Sequence, residues 1–566
     1  MAPTLRQSLQ ARAAVLKNER QSWDRDVREI VEQMVPYRVV WDWNARSERN
    51  KGERKEDFII NSTPVRALDT LKAGMQAGIT NPAREWFGIT VSDKELAKST
   101  KVKTYLEDCK KIIKDALHKS NWYDVLGNAV YPDLGSIATA CVLSDETPSG
   151  GLRYKAYAWG QYWLDADAQG KIDTFFGLSQ MTVRQVVQEF GIENVGEQTR
   201  AQYERGEFGH TLGVYHAIYP HSDRKPGALG PDGMAFKSCW WEETNPNKDQ
   251  LLRESGYYEF PILAPRWSVR PGDVYGRGPG WAVRGDCKQL QHLEKRKLQM
   301  IDKATIPPIV TRGTQSAVSL LPGAVTELDD VATAEVKPLL TVPAGAISEV
   351  REEIAVIEAR IEAGFYANLW QATLADERND RPTATEVEAK RQEIMLMLGP
   401  LLQQLNSGLL EPAIERAFAI LERNDMLPLP PDELQGADLT VEFISIMHQA
   451  QQSTGVGGLR SLVAEAAGIA QLNPDAIDKL NIDNIIDQFA TMYGVATDAV
   501  RGNAEVAQLR EARAQQQQAA DQAAAIPEVA KTAQAVSQID ADNLGSVAGA
   551  LGPVVEAQQQ IGASVY

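Results

Sequence analysis

Cysteine is scarce in this chain. Cys109, Cys141, Cys239 and Cys287 are the only four in 566 residues, and no two form a Cys-x-x-Cys pair. That spacing argues against a zinc ribbon or a disulfide scaffold and fits a reducing compartment. Long apolar runs are missing too. No stretch approaches the ~18 residues a helix needs to cross a bilayer, and Met1 to Gln10 has no signal-peptide hydrophobic segment, so no membrane anchor is expected. Basic residues are in deficit, 59 against 76 acidic ones, for a net charge of −17. A protein that grips DNA tightly carries a basic balance or stripe, so sequence-specific binding is disfavoured, whereas an acidic surface is compatible with DNA passing without sticking. Histidine is sparse as well: the six residues His118, His210, His216, His221, His292 and His448 include no HExxH and no close Ser or Cys partner. No nucleophile stands with its base, so an enzyme is not expected, nor a cofactor or a metal.

What is present is an ordinary globular composition, 43% hydrophobic and 24% charged, in a chain too long for one core. Its first half reads as α+β. Residues 5 to 34 keep helical spacing through Leu16, Trp23, Val27, Ile30 and Met34 until Pro36, and Asn61 to Gly78 is a second helix with Ser62 or Thr63 as its cap and Pro64 in its first turn. Helices are expected over 102–118 and 122–130. Strands are expected at 137–143, 153–159, 162–164, 171–177, 211–219, 235–242 and 254–267, the last two as an antiparallel pair, with a helix over 181–190 stopped by Gly191. The alternation at Leu439 to Ile446 predicts a strand that rejoins this body.

The middle of the chain is built differently. A helix over 286–303, with Leu290, Leu293, Lys297 and Ile301 in helical spacing, stops at Pro307-Pro308. A second, over 346–370, carries Ile347, Val350, Ile354, Ile357 and Ile361 in a 3,4,3,4 alternation, a single apolar stripe on a charged helix. A narrow stripe of this kind suits packing against another helix of a neighbouring copy. Between them, Ile309-Val310, Ala317 to Leu321 and Ala324-Val325 suggest short strands. After the second helix, Gln371 to Pro382 is a polar interruption. Thr383 and Glu386 then form a capping-box pattern, and a long helix follows in which Pro400 and Pro412 are expected to place kinks. Beyond residue 455 the pattern is helical again, and the final Ala- and Gln-rich stretch is either a helix used in oligomer contact or a disordered tail.

Three motifs invite chemistry and have simpler readings. Gly276-Arg277-Gly278-Pro279-Gly280 offers clustered N–H groups at a helix start, yet it lacks the Lys-Ser/Thr of a phosphate loop, and a structural turn is expected. Asp165, Asp167, Gln169 and Gly170 imitate the start of a calcium loop, but Phe176 stands where a bidentate Glu is required, so a turn between strands is expected. Arg284-Gly285-Asp286 matches an adhesion tripeptide by letters only.

The order and spacing of Tyr275-Gly276-Arg277-Gly278-Pro279-Gly280, Pro307-Pro308, Arg381-Pro382-Thr383-Ala384-Thr385-Glu386-Val387 and Leu398-Gly399-Pro400 resemble the head-to-tail connector, or portal protein, of short-tailed bacteriophages. Asn81 to Phe87 and Asp165 to Thr174 extend the resemblance. It implies an α+β portal-type fold: a wing of residues 1–284 to which 425–450 return, stem helices 285–303 and 346–370, a clip 304–345, a tunnel loop 371–382, a long kinked helix 383–424, a helical crown 451–515 and a tail 516–566. It further implies a twelve-subunit ring at one vertex of the virion, assembled in the host cytoplasm, through which double-stranded DNA is packaged and ejected. Partners would be the major capsid and scaffolding proteins, the terminase large subunit and the tail adaptor or tail tube proteins. Arg378, Arg381, Asn379, Lys295 and Lys297 are the candidate DNA-channel contacts, and Ile347, Val350, Ile354, Ile357 and Ile361 the candidate subunit seam. A helical scaffold without a channel is the competing reading, told apart by whether the assembly closes into a ring.

Overall fold

The computed structural model describes residues 3–38, 59–91, 93, 96, 99–225, 227–228, 230–247, 249–313, 318–328, 337–343, 345–367, 370, 399, 402–434, 439–442, 462–466, 482–486 and 506–517. The charge-rich stretch 41–57, the tunnel loop with Arg378, Asn379 and Arg381, the capping box at Thr383 and Glu386, Pro400 and the tail from 518 lie outside them. The chain divides into two units, Met1–Thr454 and Gly455–Tyr566. In the second, helical residues are found at 462–466, 482–486 and 506–517, and Arg510 pairs with Asp483 at 2.7 Å.

In the first unit, α1 (Leu5–Met34) opens with a full capping box in which the Thr4 side chain accepts from Gln7 N and the Gln7 side chain returns to Thr4 N. α2 (Thr63–Gly78) has Pro64 in its first turn. β1 (Gly88–Val91) precedes α3 (Thr100–Lys119) and α4 (Trp122–Val125), which runs through a π-turn, Leu126–Val130, into α5 (Tyr131–Ser136). The wide turn ends where Tyr131 N bonds Leu126 O, and Pro132, which has no N–H to give, follows at once.

Then come β2 (Cys141–Glu146), β3 (Leu152–Tyr157), β4 (Tyr162–Ala166), β5 (Ile172–Thr182), α6 (Val183–Phe190), α7 (Glu197–Glu204), β6 (Thr211–Pro220), β7 (Phe236–Glu242), β8 (Arg253–Tyr257) and β9 (Ile262–Leu263). β4 to β8 form an antiparallel meander in chain order, while β2 lies between β3 and β9. The strand expected at 137–143 starts four residues later, because Ala138 sits at φ 67° in a turn that leads into it. α7 has only polar and small residues and no apolar stripe, so periodicity does not announce it.

Period-two alternation assigns the faces of the meander. Trp163, Phe176, Leu178, Ala217, Cys239 and Trp241 meet Leu9, Ala13 and Leu16 of α1 on one face. On the other, Val214 packs with Val186 and Phe190 of α6, and Phe175 and Ile218 join the main core. That core also takes Val27 to Met34 of α1, α2, Trp122 and Tyr131, and the long helices that follow.

α8 (Pro279–Thr305) begins seven residues before the expected start, and α9 (Ala346–Gly364) ends six before the expected stop, with Tyr366 at φ 56° just beyond. Between them β10 (Ile309–Arg312) is flanked by β11 (Val325–Leu328), parallel to it, and β12 (Lys337–Pro338), antiparallel. The middle strand expected at 317–321 is therefore displaced: its described residues, Val318 to Leu321, form no strand, and Val325–Leu328 pairs instead. A second π-turn, Asn406–Leu410, leads into α10 (Glu411–Arg423) and again stands directly before a helix carrying an early proline, Pro412. β13 (Leu439–Glu442) pairs antiparallel with β1, so the returning strand lies at the edge of the first body as its alternation suggested.

Candidate functional site

The long pair α8 and α9 is held at three places. At its root, the glycine run is a close-packed joint. A Cβ on Gly276 would fall 2.5 Å from Ala138 O and one on Gly280 2.2 Å from Ser136 O, distances no side chain tolerates. Gly276 N donates to Thr139 Oγ1 at 2.8 Å, and Trp281 Nε1 donates to Ile137 O at 3.1 Å. The Arg277 guanidinium lies over the rings of both Trp23 and Trp281, 4.8 and 5.0 Å from their centroids. The run is a structural turn, as read from the missing Lys-Ser/Thr. Arg284 of the adhesion-like tripeptide pairs with Asp26 of α1 at 2.6 Å, beside a Lys288–Glu29 pair at 2.7 Å.

Halfway along, a polar clasp ties both helices to the start of α2. Gln291 Oε1 accepts from Ile60 N at 2.7 Å and Asn61 N at 2.8 Å, and its Nε2 donates back to Asn61 O at 2.8 Å. Asn61 Nδ2 donates to Glu294 of α8 at 3.1 Å and to Glu358 of α9 at 2.8 Å, and Thr63 Oγ1 donates to the same Glu358 oxygen at 3.1 Å. Gln291 and Glu294 are buried, so these bonds satisfy groups that would otherwise be costly there. Lys297 pairs with Glu294 at 2.5 Å and is thereby engaged with the clasp; Lys295 is exposed. Sequence reasoning missed the clasp. Its one visible sign is a pair of hydrophilic residues, Gln291 and Glu294, at three-residue spacing beside the apolar positions Leu290 and Leu293.

The third hold is the apolar stripe itself. Ile354, Ile357 and Ile361 are buried, followed by Phe365, within the core that also holds Val283, Cys287 and Leu290 of α8. The expectation that these three face a neighbouring copy is corrected here: α8 and α2 of the same chain cover them. Ile347 and Val350, toward the start of α9, are half-buried. Past α9, the Trp370 ring lies on the backbone of α2, where a Cβ on Gly74 would fall 2.3 Å from it. Burial pushes the Cys287 thiol up to about 12, which keeps it protonated and inert.

The remaining motifs are structural. Asp167 Oδ1 accepts from Gln169 N and Lys171 N at 2.8 and 2.9 Å, with Gly170 at φ 82°, which makes a β4–β5 turn. His210 and His221 flank opposite ends of β6, roughly 30 Å apart at strand rise, so the three histidines do not meet. His216 is in the middle, buried, bonded to Ser238 Oγ at 2.9 Å and stacked on Trp240 with centroids 3.6 Å apart. Burial lowers its pKa well below the usual imidazole range, so it is neutral. All four cysteines are free and buried. Among the described residues no group of three or more His, Cys, Asp or Glu is placed to hold a metal, and no helix is long and apolar enough to cross a membrane.

Comparison with known proteins places this architecture. The profile of a family described as "Bacteriophage head to tail connecting protein" matches residues 6–500. The chain is 36% identical over 559 residues to the portal protein of Salmonella phage epsilon15, covering 98% of this chain and 99% of that one. It is 35% identical over 541 residues to the probable portal protein of Bordetella phage BPP-1, covering 95% and 96%. With a profile over most of its length and two relatives matched almost end to end, the chain belongs to the bacteriophage head-to-tail connecting proteins, the portal proteins of the phage particle.

Proposed function

We propose that copies of this chain close into a ring, twelve by family likeness, with α8 and α9 as the stem beside an axial channel and residues 304–345 as the clip below it. In this reading residues 1–284 with 425–450 are the wing, 371–382 the tunnel loop, 383–424 the long kinked helix and 451–515 the crown. Double-stranded DNA is driven through the ring into the head by the terminase large subunit and leaves through the tail proteins; capsid and scaffolding proteins seat the ring at its vertex during assembly in the host cytoplasm. The role is structural rather than enzymatic.

The observation that supports closure best is the apolar surface that α8 and the clip leave open. Leu298, Ile301 and Ile306 at the end of α8 are exposed, as are Val318, Leu320, Leu321, Val325 and Leu340, and Leu321 is 71% exposed. A cluster of this extent within one short segment marks a contact surface. A net charge of −17 per copy keeps duplex DNA from adhering to the finished ring. Lys295 and, where its pair with Glu294 opens, Lys297 are channel contacts in this reading, together with Arg378, Asn379 and Arg381.

Negative-stain images of the purified protein test the ring directly. Closed rings with a central hole are expected; open filaments or a monodisperse monomer at micromolar concentration would exclude it. For the loop, Arg378→Ala with Arg381→Ala is expected to leave rings intact and lower the DNA retained in particles. Full-length genomes with unchanged retention would reduce both arginines to parts of a connector.

A further inference from the structure

The ends of α8 and α9 nearest β10–β12 carry charges that the chain itself leaves unpaired. Toward the root and along the clasp the ionic side chains are engaged: Arg284 with Asp26, Lys288 with Glu29, Glu294 with Lys297, and Glu358 with Asn61 and Thr63. Farther along, the side chains of Arg296 and Lys303 on α8 and of Glu349 and Glu353 on α9 have no hydrogen bond or ion pair among the described residues. Arg296, Glu349 and Glu353 are exposed, and Lys303 is half-buried.

Each helix gathers its two charges on one face. Arg296 and Lys303 are two turns apart, and Glu349 and Glu353 one turn apart, a like-charged spacing that costs α9 stability unless cations relieve it. Asp302 and Arg351, of the opposite signs, fall on other flanks, because each residue turns a helix by about 100°. Lys295 is likewise one step round from Arg296 and stays available to the channel.

The two faces also match in height. Val283 meets Gly364 near the root, where a Cβ on Gly364 would fall 2.2 Å from Val283 Cγ1, and farther along Asn61 Nδ2 bonds both Glu294 and Glu358, so the helices run antiparallel. Lys303 and Glu349 each lie nine residues beyond that shared bond, toward β10–β12. By helix rise both stand about 13.5 Å from it, and Arg296 and Glu353 are within one turn of each other. Copies in a ring are related by rotation about one axis, which preserves height, so α8 of one copy meets α9 of the next level for level.

We propose that the Arg296–Lys303 face of α8 docks on the Glu349–Glu353 face of α9 of the next copy, an ionic seam that rests on the ring reading above. It supplies the contact between stems that the buried isoleucines do not, and as a rim of exposed ion pairs it sets which surfaces meet and in what register.

Two reversed chains test it, Arg296→Glu with Lys303→Glu and Glu349→Lys with Glu353→Lys, imaged by negative stain beside the wild type at about 0.05 M salt, where screening is weak. Each reversed chain alone sets like charges across every interface and is expected to weaken association there about tenfold, so that closed rings are lost. Co-expressed in equal parts, the two restore opposite charges at every interface of an alternating ring, which any even number of copies closes, and rings are expected to return. Pairing of α8 with α9 inside one chain stays reversed in that mixture, so recovery locates the contact between copies. Wild-type yields of rings from either reversed chain alone, or no recovery on co-expression of folded chains, would overturn the proposal and leave these charges to the dipoles of their own helix ends. Should a double variant fail to fold by circular dichroism, Lys303→Glu and Glu349→Lys, alone and co-expressed, decide by the same outcomes. Absence of rings from the wild-type chain would overturn the ring itself, which keeps the two failures apart.

Discussion

The meander β4–β8 is antiparallel and the small sheet β10–β12 mixed, and the two end in opposite states. The meander is covered on both faces by its own chain, by α1 on one side and by α6 and the main core on the other. Its cross-strand neighbours stack directly: Tyr215 on Trp241 at 5.2 Å, His216 on Trp240 at 3.6 Å, each pair in register. The small sheet sits among Ile306, Val318, Leu320, Leu321 and Leu340, all open to solvent. Apolar alternation alone therefore does not say whether a sheet is finished by its own chain or by a neighbour. What separates the two is whether a helix of the same chain lies over the face.

Disturbing the closed side should show the largest effects. Ile357 is fully buried, and Ile357→Asp places an unpaired charge in the α8–α9 contact, with an expected loss above about 4 kcal/mol in urea unfolding or no soluble protein at all. Stability near wild type with absent rings would mean that the stripe serves a neighbour after all. Gly280→Ala sets a Cβ against Ser136 O and should cost about 1–3 kcal/mol, visible as a lowered Tm; no change would show that the joint can shift. Asn61→Ala leaves Glu294 and Glu358 without their shared donor and should cost a comparable ~1–3 kcal/mol. A double variant with Glu358→Ala should be less than additive if the clasp is one unit.

His216 probes the meander by pH. Its folded pKa is lowered by burial, so below the unfolded value of ~6.5 the unfolded chain takes up a proton that the folded chain refuses. Stability is full above that value and falls by about 1.4 kcal/mol per pH unit as the solution is acidified. His216→Gln should flatten this slope between pH 7 and 5; an unchanged slope would assign it to other groups. The smallest effect belongs to the open sheet. Leu321→Ser should alter subunit stability by less than about 0.5 kcal/mol and yet lower the yield of rings, a separation no residue of the meander should show.

Much of the first body was legible because each element carries its own signal. The spacing of Leu16 to Met34 and the stop at Pro36 announce α1, Pro64 opens α2, Gly191 closes α6, and the strands of the meander alternate. The limits of α8 and α9 were not, since the turn residues Gly276 to Gly280 hide a helix start that depends on Ser136 and Ala138, more than a hundred residues away in the chain. The fate of the isoleucine stripe was misjudged for the same reason. A narrow stripe is compatible with a partner helix in the same chain or in another, and only the packing of α8 decides. The clasp left almost no trace, because its members are isolated polar residues brought together by tertiary contact.

The two π-turns carry a consequence of another kind. One surplus residue in a regular helix rotates everything after it by about 100°, enough to swing a buried face out toward water. At 406–410 the widened turn absorbs such a surplus, so Leu405 before it, Leu409 within it and Ile414, Ala417, Ile420 and Leu421 after it address the same core. The turn works as a phase corrector, and Pro412 keeps it in place by refusing the bond that a regular helix would ask of it. Removing one residue from Asn406–Leu410 would thus let the turn close to regular width, with the apolar positions on either side still in phase.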